Sequence, residues 1–140
     1  MGQAELMASL SVAIRNAMLN ALVATVGASP TIEVRTGGEP SLASGDTGTL
    51  LATFSLPVIW AGSAAEGSVE FEQTGDLVAT TTAVASGTAG HFRMKSLGGT
   101  AHISGTVSTV DGGGDLILDT VSLIAAVPVS ITSWFLHTQN

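Results

Sequence analysis

The chain has 140 residues, a formal net charge of −7 and only four Lys or Arg. That is long enough for one domain with a real core, but too poor in positive charge for a phosphate-binding groove, so direct nucleic-acid binding is not expected. Cys is absent, which excludes disulfides and thiolate metal sites.

Apolar residues make up 45% of the chain but aromatics only 4%, with two Trp, four Phe and no Tyr. The core must therefore be built from small aliphatic side chains. Charged residues are 11%, against about 25–35% on an ordinary soluble surface. A shortfall of that size, with Gly, Ser and Thr in place of charge, fits a β-rich domain with many turns and, as the sharper reading, surface covered by neighbouring subunits.

Residues 4–26 read as an amphipathic helix. Leu6, Leu10, Ala13, Ile14, Ala17, Ala21 and Leu22 follow the 3.6-residue repeat and form one stripe. Glu5 complements the positive end of the helix dipole, and Gly27 and Pro30 end the element. No basic residue precedes the apolar run, and Glu5, Arg15, Asn16 and Asn20 interrupt it, so neither a signal peptide nor a membrane span is expected. The stripe suits packing on the domain's own sheet or on another subunit.

Thr31 to Thr36 reads as a strand with Ile32 and Val34 on one face and Glu33 and Arg35 on the other. Gly37 to Gly48 holds too many Gly, Ser and Pro residues for regular structure and reads as a surface loop. Its Gly37-Gly38 pair lacks the following Gly-Lys-Ser/Thr of a phosphate loop. Thr49 to Leu56 is apolar at nearly every position, as expected of a strand covered on both faces. Pro57 ends it, and Trp60 reads as a core or interface anchor. Ser68 to Glu72 is a short strand, Gly75-Asp76 a turn, and Leu77 to Val84 a further strand.

The most informative stretch is Gly87 to Val107, which reads as a β-hairpin. Phe92 and Met94 share one face, His91, Arg93 and Lys95 the other, and Leu97-Gly98-Gly99 makes the turn. Asp111 to Asp115 is a flexible Gly-rich turn into a strand at Leu116 to Leu118. Val121 to Ala126 reads as another strand. Val129 to His137 is the last, with Val129, Ile131 and Phe135 on one side and Trp134 and Leu136 on the other. Seven to nine short strands after one helix predict a single mainly β domain spanning residues 1–140: an antiparallel β-sandwich or jelly-roll-like barrel with one N-terminal α-helix.

Chemistry-bearing residues are sparse. His91, His102 and His137 sit on different strands, and a hairpin centred on Gly98 puts the first two on opposite faces, so no metal site is expected. Asp111, Asp115 and Asp119 lack the ligand density of a calcium loop and read as a solvated turn. Glu70 and Glu72 share a strand face, but the aromatic platforms that accompany paired carboxylates in glycosidases are scarce. There is no Gly-x-Ser-x-Gly elbow. Neither a catalytic residue nor a cofactor site is expected.

In order, AIRNAMLNALV, IEVRTGGEP, GTLLATFSLP, GTAGHFRMKSLGG and VSITSWFLH resemble a family of small tailed-bacteriophage virion structural proteins, whose pattern runs helix, I-x-I-x-T-G-x-x-P, G-T-L-L-A, A-G-x-F-R and V-x-I-x-S. The departures are His91, where an aromatic residue is expected, and Gly-Gly where Asp-Gly is usual. The resemblance implies a β-rich virion subunit rather than an enzyme, first of all a capsid decoration (cement) protein bound to the major capsid protein shell. A neck, collar or tail-associated subunit is the alternative within the virion. A carbohydrate-binding β-sandwich for host attachment is the alternative outside that class, with Trp60 and Trp134 as the aromatics able to serve it. Arg15, Gly38, Pro40, Trp60, Arg93, Lys95 and Trp134 are the expected protein-contact residues, other virion subunits and further copies of the chain the expected partners, and no membrane partner is expected.

Overall fold

The computed structural model describes residues 10–61, 68–70 and 80–137, with the side chains of 68–70 and 133–137 excepted. The architecture is mainly β with one leading helix, as the spacing of turns implies. The elements are α1 (Val12–Val26), β1 (Thr31–Thr36), β2 (Leu50–Ser55), β3 (Ser68–Glu70), β4 (Thr80–Thr82), β5 (Gly87–Lys95), β6 (Ala101–Ser108), β7 (Leu116–Leu118), β8 (Ser122–Leu123) and β9 (Pro128–His137). Of the expected strand Ser68 to Glu72, residues 71 and 72 lie outside the described residues, as do the turn at Gly75-Asp76 and residues 77–79.

The sheet runs β2-β1-β5-β6-β7-β9-β3, with β4 also on β9 and β8 on the start of β5. Beyond β4 the Val84 N–H donates to Leu51 O at 2.7 Å, so the chain next to β4 reaches β2 and the sheet nearly closes into a barrel. Closure of this kind removes open strand edges.

Apolar side chains fill the inside. Ile32 and Val34 of β1 lie opposite Phe54 and Ala52 of β2 and Met94 and Phe92 of β5. Leu116, Leu118, Val129 and Ile131 complete the far wall, and all of these are buried. Each fully buried Leu, Ile, Val, Met or Phe stabilises by about 1.5–3 kcal/mol relative to exposure, so small aliphatic residues suffice when this many converge.

Several features differ from the sequence-based expectation, among them the strand expected to reach Val84, which ends at Thr82. First, the helix starts at Val12 rather than at residue 4. Ser11 caps it, its side chain accepting from the Ile14 N–H at 3.2 Å, as Ser does at a helix start; residues 4–9 lie outside the described residues. The inward face is Leu19, Leu22, Val23 and Val26, while Ala13, Ile14, Ala17 and Ala21 of the expected stripe are exposed. The helix is apolar on nearly every side, so periodicity alone did not single out one face.

Second, β2 is not covered on both faces. Thr53 is only half-buried and Ser55 is exposed. A register shift between Val34 and Arg35 leaves Leu51 unpaired with β1, so the adjacent Leu51 and Ala52 are both buried. Third, the expected strand Val121 to Ala126 shrinks to Ser122–Leu123. Residues 124–127 form a turn closed by the Val127 N–H on Ile124 O at 3.0 Å.

Pairing is antiparallel except at β6–β7, which is parallel. A parallel return commonly needs a dozen or more residues, yet here the Gly-rich segment after Ser108 makes it directly. The Gly114 N–H donates to Ser108 Oγ at 2.7 Å. Asp115 Oδ2 accepts from the Thr106 N–H at 3.0 Å and Thr106 Oγ1 at 3.2 Å. The segment expected to be a loose turn is thus a bonded reversal that sets β7 beside β6.

Candidate functional site

The polar residues that alternate outward on β1 and β5 gather on one wall of the barrel. Register sets Glu33 opposite Arg93 and Arg35 opposite His91. In strand alternation these positions face water, but the loop between β1 and β2 folds back over them, so that His91 is 0% and Arg93 2% exposed.

The loop is held by charge-assisted bonds, the stronger class of hydrogen bond. Asp46 is the hub. Its Oδ1 accepts from Arg93 Nη1 at 3.1 Å, and its Oδ2 from Lys95 Nζ at 2.7 Å and Arg35 Nη2 at 3.4 Å. Arg93 Nη2 also donates to Ser41 O at 2.7 Å and Ser44 O at 2.9 Å. Glu33 Oε1 takes Arg35 Nη2 at 2.9 Å and Lys95 Nζ at 3.1 Å. On the next strand Ser104 Oγ donates to Glu39 Oε2 at 2.6 Å.

Backbone fit supports the clasp. A Cβ on Gly90 would collide with Gly37 O, and one on Gly48 with Thr36 O, so both ends of the loop lie against the sheet only because glycine stands there. His91 Nδ1 lies 3.0 Å from Gly37 O. A carbonyl only accepts, so this nitrogen carries the proton. His91 Nε2 and Arg93 Nε are buried without a hydrogen-bond partner among the described residues, a cost that the other bonds of the wall offset.

The ionisation of the hub follows from its neighbours. The hydrogen bond from Lys95, then the charges of Lys95, Arg35 and Arg93, hold the Asp46 carboxyl below its ordinary 3.8 against a smaller opposing effect of burial. Burial pulls the Lys95 ammonium down, but its bonds and charge interactions with Asp46 and Glu33 outweigh that and raise it above 10.5. Both carboxylates are thus taken up by cations of the same wall. Among the described residues no three His, Asp or Glu side chains converge as a metal site, and no described helix is long and apolar enough to cross a membrane.

The expected contact residues separate. Arg93 is buried and Lys95 half-buried within the clasp, both bonded to the chain's own loop. Gly38 is exposed on that loop and Pro40 half-buried beside it. Arg15 is half-buried on the helix. Trp60 is 2% exposed and donates from Nε1 to Gly27 O at 2.8 Å, tying the segment after β2 to the helix end. A ring so buried is no sugar platform, which removes Trp60 from the carbohydrate-binding alternative. The Trp134 side chain lies outside the described residues; its backbone pairs with Leu116.

Large apolar side chains are exposed on the helix (Val12, Ile14, Met18), on the loop (Leu42) and at both barrel ends. Thr31 pairs with both Ser55 and Lys95, so the segments after β2 and β5 leave at one end, carrying exposed Val58, Ile59 and Leu97. At the other end Thr82 pairs with Pro128 and Gly87 with Leu123, and Val84, Val110, Ile124 and Val127 are exposed. These residues were not among the expected contacts. The signal for one group was present in Ile124-Ala125-Ala126-Val127-Pro128, a consecutive apolar run whose first three residues read as the end of a strand until their exposure is seen. The clasp acids Glu33 and Asp46 were missed because Lys95, the cation that both of them bond, lies far along the chain from either.

No family model, curated protein or solved structure matches the chain.

Proposed function

We propose that this protein is a structural subunit of a tailed-bacteriophage virion, acting as a capsid decoration protein that binds the major capsid protein shell and stabilises it by adhesion rather than by catalysis. The virion assignment rests on the sequence resemblance. The observation that carries the adhesive reading is the distribution of side chains. The barrel interior is filled by the chain's own residues, three of its four Lys and Arg are bonded within one wall, and large apolar side chains stand exposed at both ends. Exposed apolar patches on a small domain mark contact with other proteins.

Contacts of this size are individually weak. A shell that repeats the same site hundreds of times still recruits its decoration, because each bound copy adds buried area at a subunit boundary. The two-ended arrangement suits a subunit seated across such a boundary.

The test is a copy count by quantitative mass spectrometry on purified particles, paired with binding to shells that lack the protein. Hundreds of copies per particle, saturable rebinding and a raised shell melting temperature are the expected results. A handful of copies or a ring number moves the subunit to the neck or tail, and shells that bind none of it overturn the decoration role.

A further inference from the structure

The loop from Gly37 to Gly48 closes over the cationic wall with no apolar anchor of its own. Its residues are exposed except Pro40, which is half-buried, and its one large apolar side chain, Leu42, is 42% exposed. None of them belongs to a strand. Side chains of the sheet hold the loop instead. Arg35, Arg93 and Lys95 all bond Asp46, Arg93 also donates to Ser41 O and Ser44 O, and Ser104 donates to Glu39. A segment with few buried apolar contacts lies at the low end of a protein's local stability.

Closure also carries a cost in that wall. His91 Nε2 and Arg93 Nε are buried without a hydrogen-bond partner among the described residues, and water would supply one to each if the loop lifted. The two ends of the loop can turn. Gly37 sits at φ 86° and Gly48 at φ 72°, where glycine moves through conformations closed to other residues. We propose that residues 37–48 form a latched strap, which swings open about Gly37 and Gly48 while the barrel stays folded, with Asp46 as the latch.

Charge sets what the latch responds to and what opening reveals. Asp46 bonds all three cations of the wall, and its side chain is a third exposed. Salt therefore reaches it, since screening acts over about 8 Å at physiological ionic strength and about 3 Å at 1 M. Screening does not act on the apolar burial that holds the barrel. Once Asp46 leaves, Arg35, Arg93 and Lys95 stand together on β1 and β5, with Glu33 as the carboxylate still among them. Three of the chain's four Lys and Arg then face water, in a protein whose net charge is −7. The open strap thus presents a cationic surface that the closed one spends internally. The inference stands apart from the virion assignment, since it needs only this chain.

Phenylglyoxal, which adds to arginine guanidinium groups, reads the opening in the full chain. Arg93 is 2% exposed when the strap is closed, and half-buried Arg15 on the helix is the internal reference. Peptide mass spectrometry gives the initial rate at each. Amide exchange at Phe92 and Met94, which β1 and β6 flank, gives the extent of global unfolding. Arg93 should react faster, by about tenfold or more, than the globally unfolded fraction permits. Its rate should hold constant through low urea, because local opening exposes little surface. Relative to Arg15, it should rise with sodium chloride and in Asp46→Asn. It should stay unchanged in Asp111→Asn, which removes an exposed charge elsewhere.

Arg93 modification that climbs with urea in step with exchange at Phe92 and Met94 overturns the proposal. So does a rate that neither salt nor Asp46→Asn raises, or one that Asp111→Asn raises as much. The urea and salt series use the unaltered chain, so they decide the question even if Asp46→Asn does not fold.

Discussion

Arg93 Nη1 donates to Asp46 Oδ1 at 3.1 Å across 47 residues of chain, and the same guanidinium reaches Ser41 O and Ser44 O. One buried side chain thereby converts the segment between β1 and β2 from a loose connection into part of the barrel wall. Arg93→Met keeps much of the side-chain volume but removes the donor to both carbonyls and to Asp46 Oδ1. Breaking a buried pair from one side costs about 3–5 kcal/mol. Asp46 is a third exposed here, and water takes up part of the loss, so a destabilisation of about 2–3 kcal/mol is expected. Urea denaturation measures it, and limited proteolysis should show cleavage within residues 37–48 of the variant.

The same clasp makes stability depend on pH in a defined direction. Asp46 is held below its ordinary 3.8, so the unfolded chain binds the proton more readily. This contribution is present above pH 3.8 and is lost as pH falls through the folded value. Lys95 is raised above 10.5, so its contribution is present below that pH and is lost as pH rises through the folded value. The melting temperature should decline at both extremes, and Asp46→Asn should flatten the acid limb. An unchanged acid limb in that variant would show that other carboxylates govern acid unfolding.

Gly90→Ala tests the docking of the loop without altering any charge. Its added Cβ meets the Gly37 backbone, which cannot rotate away as a side chain would. Overpacking of this kind costs about 1–3 kcal/mol, measurable by thermal denaturation. The melting temperature of a second variant, Gly38→Ala, should change little, because nothing lies within 4 Å of the Cβ it adds.

Trp60 separates packing from hydrogen bonding. Trp60→Phe removes the donor to Gly27 O and should cost about 1–2 kcal/mol for the unmade bond and lost volume. Trp60→Ala should cost about 3–5 kcal/mol. Circular dichroism melts rank the two, and equal losses would mean that the bond rather than the ring holds the helix end.

Asp115 holds the parallel return. Asp115→Ala frees the Thr106 N–H and hydroxyl, and the expected loss is about 1–2 kcal/mol. Amide exchange should then rise first at Val107 and Leu116, the paired residues nearest the change.

Much of this architecture was readable from local pattern. Ile32 and Val34 alternating with Glu33 and Arg35 mark β1 to the residue, and the alternation through Met94 with the glycines that follow marks the hairpin. The hairpin's register was readable only at its tip: Lys95 pairs with Ala101 as expected, but a shift sets Met94 opposite Ile103. His91 and Arg93 were legible as a polar face, not as buried residues, because their cover arrives from a loop some fifty positions away. Ile124 to Ala126 looked like the end of a strand because their apolar content is what a buried strand shows.

By itself the sequence determined the class of fold and the positions of most elements, because side-chain alternation, chain-reversing glycines and prolines, and a helix stop at Gly27 act over a few neighbours. Only the tertiary structure decided which helix face turns inward, that β7 runs parallel to β6, that the cations of β1 and β5 are spent within the chain, and that Ile124 and Val127 are left exposed. Each of those depends on which distant segments meet, and that is settled by shape and charge across the whole barrel.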